Sequence, residues 1–148
     1  MDSKLQRAEA LYEAVNQLIR VHQFRDRESI YCHNVSVAQC YALETLVKRG
    51  PLRLKALAEE MCLDKSTTSR VVDALLRKGY ALKTLDPQDQ RAVQLSLTAE
   101  GHALYSTIRK SLIAEEASMI ADISDDVVDA ALELLGKLTV AARARLGA

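Results

Sequence analysis

The sequence has no tryptophan, one phenylalanine and only 4% aromatic residues, so any interior must be built from Leu, Val, Ile and Ala. Glycine and proline are also scarce, at five and two residues, a composition that favours helix. No run reaches the ~18 to 20 apolar residues of a membrane span, and Met1-Asp2-Ser3-Lys4-Leu5 lacks the apolar stretch of a secretory signal; a cytoplasmic protein is expected. The three cysteines, Cys32, Cys40 and Cys62, form neither an even disulfide framework nor a paired zinc motif, in keeping with a reducing compartment. There is no glycine-rich phosphate loop, nucleophile elbow or catalytically spaced carboxylate pair, so neither an enzyme nor a cofactor is expected.

What remains is a chain of 148 residues, 49% hydrophobic, enough for one compact unit with helical extensions. Leu5, Ala8, Leu11, Tyr12, Val15, Leu18 and Ile19 recur at helical spacing and predict an amphipathic helix ending near Phe24. Residues 25–34 show no clear period and read as a loop or a short irregular helix. Ser36-Val37-Ala38-Gln39 is a capping box that starts a helix running to about Arg49, where Gly50-Pro51 stops it. A short helix over Leu52–Met61 and a turn at Cys62-Leu63 follow, and Asp64 caps a further helix that closes at Gly79.

Beyond Gly79 the period changes from helical to alternating. Tyr80–Leu85 and Ala92–Leu97 predict two strands of a hairpin joined by a polar tip, Asp86 to Arg91. Thr98 then caps a long helix reaching about Asp122, and Ser124 with Asp125 and Asp126 opens the last one, striped by Val127, Val128, Ala131, Leu134, Leu135 and Leu138.

The formal net charge is zero, which taken alone argues against a nucleic-acid binder. The average hides an asymmetry: Val37–Leu97 carries ten Lys and Arg against seven Asp and Glu, whereas Glu115–Glu133 carries seven acids and no Lys or Arg. Helix, helix, turn, helix and hairpin in that order are the elements of a winged helix-turn-helix. Short hydroxyl side chains on the first turns of the third of these helices, Ser66, Thr67, Thr68 and Ser69, would let it approach base edges closely. Lys65 would meet a phosphate, and Arg70 is suited to a bidentate contact with guanine.

The run Leu63-Asp64-Lys65-Ser66-Thr67-Thr68-Ser69-Arg70-Val71-Val72-Asp73 carries a further signal. With Leu76-Arg77-Lys78-Gly79-Tyr80, Asp86-Pro87-Gln88-Asp89-Gln90-Arg91-Ala92-Val93 and Leu97-Thr98-Ala99-Glu100-Gly101, it resembles the signature of the MarR family of transcriptional regulators. The resemblance covers roughly residues 36 to 101. It implies a mainly helical protein with a small β-hairpin wing, in which 36–97 form the winged helix-turn-helix and 1–35 with 98–148 form a helical dimerisation region. It further implies a homodimer, in practice a repressor, on a pseudo-palindromic double-stranded DNA operator. A small aromatic or phenolic effector would bind between the dimer base and the winged domain. On the same resemblance Arg91 enters the minor groove, Asp89 helps to position it, and Gln88 and Gln90 flank it on the wing. One departure is visible: where many members carry an Arg after the recognition helix, this chain has Lys83-Thr84.

Other readings stay open at this point. Hydroxyls at a helix start are commonly caps, and Lys48-Arg49 and Arg77-Lys78 read best as helix-end charges. Cys32 and Cys40, with His33, could serve a redox or metal-responsive site, although buried thiols more often pack as small hydrophobes. A helical protein-interaction module that binds no DNA is the remaining alternative.

Overall fold

A computed structural model describes residues 2–31 and 33–147, with the side chains of 24–29 and 31 left aside. Among the described residues six helices and one hairpin follow in order: α1 Ser3–Tyr31, α2 Val37–Arg49, α3 Leu54–Met61, α4 Lys65–Arg77, β1 Ala81–Asp86, β2 Asp89–Leu97, α5 Ala99–Met119 and α6 Asp125–Leu146. The protein is thus mainly helical with a two-stranded antiparallel sheet, as its periodicities require. None of the described helices is long and apolar enough to cross a membrane.

The chain divides into two compact units, residues 1–112 and 113–148. In the first, Ile30, Val35, Cys40, Ala42, Leu43, Val71, Leu75, Ala81, Tyr105 and Ile108 form one buried cluster. Leu46, Leu57, Val72 and Leu95 form a second, joining α2, α3 and α4 to the hairpin. The first cluster draws Ile30 from α1 and Tyr105 and Ile108 from α5, so the helix-turn-helix is packed with residues from outside 36–97. In the second unit α6 buries none of its side chains in the single chain, and its ends are satisfied locally. Ser124 Oγ accepts from Val127 N at 3.4 Å, acids occupy its first turn, and Arg143 and Arg145 its last.

Several boundaries differ from the sequence reading, among them the end of α5, which stops at Met119 short of Asp122. Helix α1 continues past Phe24 to Tyr31, because no Gly or Pro interrupts 25–31 and the buried Ile30 anchors the extra turns. Leu52 belongs to an isolated bridge with Leu95 (N to O, 3.0 and 2.7 Å), which delays the start of α3 to Leu54. The polar tip is tighter than Asp86 to Arg91: Asp86 pairs with Asp89, and only Pro87-Gln88 lie between the strands.

Candidate nucleic-acid interface

The turn between α3 and α4 is sharp because Cys62 adopts the left-handed conformation, at φ 56°. Its N–H and that of Leu63 return to the carbonyls of Glu59 and Ala58 at 3.2 and 3.1 Å. Asp64 then caps α4 twice. Its Oδ1 accepts from Thr67 N at 2.7 Å and its Oδ2 from the Thr67 hydroxyl at 2.8 Å. Those hydrogen bonds from Thr67, backbone first, hold the Asp64 carboxyl below its ordinary pKa. Val71, Val72, Ala74 and Leu75 bury the inner face of α4, which turns Lys65, Ser66, Arg70, Asp73 and Arg77 to solvent.

The hydroxyl-rich first turn therefore does not act as one surface. Thr68 is completely buried and its hydroxyl donates to the Asp64 carbonyl at 2.9 Å, so it cannot reach a base. This corrects its place in the expected reading face: position 68 falls on the same side as Val71, Val72 and Leu75. Thr67 is half-buried and engaged in the cap, and Ser69 is half-buried beside the hairpin. Ser69 and Asp73 border a cleft of about 190 Å³ whose other walls are Leu54, Val72, Lys83, Val93 and Leu95. Lys65, Ser66 and Arg70 remain as the exposed polar edge of the first two turns.

At the hairpin tip, Gln88, Gln90 and Arg91 are exposed and Asp89 is half-buried. Asp86 Oδ1 accepts from Gln88 N at 2.9 Å, and Asp89 Oδ1 accepts from Arg91 N at 3.1 Å. The Arg91 side chain is 95% exposed and its Nε stands 3.5 Å from Asp89 Oδ1. An unexpected partner reaches this tip from outside the hairpin. Arg53 Nε and Nη2 donate to Asp86 Oδ2 at 3.0 and 2.8 Å. Bonding from Gln88 N, and then from Arg53, keeps the Asp86 carboxyl below its ordinary pKa. At the other end of the hairpin, Thr98 Oγ1 donates to Gly79 O at 2.7 Å and accepts from Gly101 N at 3.0 Å, fixing the base of the wing to α5.

Three of the four basic side chains at helix ends, Lys48, Arg49 and Lys78, are occupied. Lys48 Nζ lies 2.7 Å from Glu44 and Arg49 pairs with Glu60. Lys78 Nζ donates to Asn34 O and Gln39 Oε1, both at 2.8 Å, tying the end of α4 to the start of α2. Cys40 is buried at 2% exposure within the first cluster, which suits packing better than encounter with an oxidant. Cys62 is exposed, and Cys32 lies outside the described residues. Among the described residues no group of three or more His, Cys, Asp and Glu side chains is placed to hold a metal.

The order and geometry of these elements match known proteins. The model of the MarR family matches residues 35–93. The HTH-type transcriptional repressor MdtR of Bacillus subtilis is 30% identical over 118 residues, covering 78% of this chain and 74% of that protein. The chain belongs to the MarR family. Its fold is shared with the regulator BldR of Sulfolobus solfataricus, at a TM-score of 0.82 and 20% identity over 95% of this chain and 99% of that one. A Staphylococcus aureus MarR solved in complex with salicylate and kanamycin gives a TM-score of 0.82 at 18% identity, over 90% and 91% of the two chains. As a MarR-family protein it is a DNA-binding, winged helix-turn-helix regulator of transcription and not an enzyme.

Proposed function

We propose that this MarR-family chain acts as a cytoplasmic homodimeric repressor on a pseudo-palindromic operator. Residues 36–97 serve as the reading domain, and the helices of 1–35 and 98–148 as the dimerisation region. Each copy lays α4 in a major groove, with Arg70 reading a base edge, Ser66 and Ser69 close to the groove floor and Lys65 on a phosphate. Arg91 enters the adjacent minor groove, with Gln88 and Gln90 beside it and Asp89 steadying it. The observation that carries this reading is the pairing of an exposed Arg70 on a helix whose inner face is buried with an exposed Arg91 on the neighbouring hairpin. Repression is supported by the name of the Bacillus relative, and control by a small aromatic or phenolic ligand by the salicylate held in the Staphylococcus protein.

Selection of bound sequences from a random duplex pool tests the reading. Arg70→Ala should relax preference at one or two positions of the recovered site and cost about 1 to 3 kcal/mol. Arg91→Ala should weaken binding without changing major-groove preference. Equal, sequence-blind losses from both substitutions, or no enrichment by the parent protein, would sink it.

A further inference from the structure

We propose that Arg53 is the positioning residue of the hairpin tip: its guanidinium gathers Asp86 and Asp89 so that Arg91 is presented to DNA in one arrangement. The inference rests on the reading of Arg91 as a groove contact given above. Two observations set the problem that Arg53 solves. Asp86 and Asp89 are direct cross-strand partners, and like charges in that position repel. The strands they end form a two-stranded sheet, a structure that is marginal without outside support, and its register is irregular between Leu85 and Asp86.

Arg53 supplies the missing cation from a different element. It precedes α3 as the N-cap residue and makes no side-chain capping bond, so its guanidinium is available elsewhere. The two-bond bridge between Leu52 and Leu95 fastens the residue before it to β2. From there Nε and Nη2 both meet Asp86 Oδ2, while Nη2 stands 3.9 Å from Asp89 Oδ2. The Asp86 side chain is only 16% exposed, less screened than an ordinary surface pair. Its second oxygen holds Gln88 N, and the second oxygen of Asp89 faces Arg91 at both the backbone N–H and Nε. Arg53 thus bonds Asp86 directly and reaches Arg91 through Asp89, by ion pairs of 3.9 and 3.5 Å and the backbone bond from Arg91 N. Lys83, on β1 itself, makes no ion pair among the described residues and lines the cleft instead.

Duplex affinity measured for Arg53→Ala, in the parent and in an Arg91→Ala background, separates positioning from direct contact. The expected result is a loss of about fivefold in the parent and none beyond that of Arg91→Ala in the double variant. Asp86→Asn, which keeps the acceptor for Gln88 N but weakens the hold of Arg53, should lose less in the same direction. A loss from Arg53→Ala that persists undiminished without Arg91 would make Arg53 a phosphate ligand and overturn the proposal. Amide exchange of the DNA-free protein supplies an independent arm. Gln88 and Arg91 should exchange faster in Arg53→Ala while amides of α4 do not change, and unchanged exchange at the tip also overturns it. Failure of the parent to bind duplex would instead defeat the reading of Arg91, and the exchange arm would still decide what Arg53 does.

Discussion

Thr68 and Arg70 stand two residues apart on α4 and have opposite fates, one buried with its hydroxyl spent on the Asp64 carbonyl, the other turned to solvent. Their substitutions should separate stability from recognition. Thr68→Val keeps the shape and drops the hydrogen bond, so unfolding free energy should fall by about 1 kcal/mol while the folded protein binds DNA as before. Urea melts paired with duplex titrations check this; a large loss of affinity at unchanged stability would return Thr68 to the reading face. Asp64 makes a second residue-level case. Its folded pKa is depressed, so its contribution is present above the ordinary carboxylate range and is lost as pH falls through the depressed value. Asp64→Asn preserves a capping oxygen but takes up no proton, and its melts between about pH 6 and about pH 3 should therefore show a shallower acid loss than the parent. The cap was legible in sequence because Asp before Lys-Ser-Thr is a local pattern. The burial of Thr68 follows from the 3.6-residue period of the Val71, Val72 and Leu75 stripe, which a hydroxyl cluster read as a block obscures.

Among elements, α2, α4 and the hairpin were legible because each carries its own start and stop: Ser36 with Gln39, Asp64 with Gly79, and the polar turn between alternating runs. The extension of α1 was not, since residues 25–31 hold charges in place of an apolar stripe and only Ile30 marks the helix as packed. Arg53 was equally hidden, being 33 positions from Asp86 with no local motif to join them. The joint between wing and α5 is a different matter. A Cβ on Gly101 would stand 2.1 Å from the Tyr80 carbonyl oxygen, which itself accepts from Thr98 N at 3.1 Å. Backbone must move to admit even a methyl group there. Gly101→Ala should cost about 1 to 3 kcal/mol despite the higher helix propensity of alanine, and should raise amide exchange at Tyr80 and Thr98. A stabilised variant would mean that α5 and the hairpin base can separate without penalty.

At the scale of the whole molecule, the question is what covers the outer helices. Leu132 and Val140 on α6 are 63% and 70% exposed, and Leu5 and Leu18 on α1 are 64% and 60% exposed. A helix of 22 residues that buries none of its own side chains gains little from tertiary packing, the source of most helical stability in proteins. Exposed apolar side chains of this kind on each helix suit an interface, and a second copy is the occupant that the proposed repressor requires. Leu132→Glu combined with Leu135→Glu should move the sedimenting species from about twice 16.4 kDa toward a single chain, with the winged unit still folded. Affinity should then fall far more on a duplex bearing two half-sites than on one bearing a single half-site, because only a linked pair of reading heads gains from the second site. Equal losses on both duplexes would place the defect in the reading head. A double variant that sediments as a dimer would mean that α6 lies outside the contact between copies.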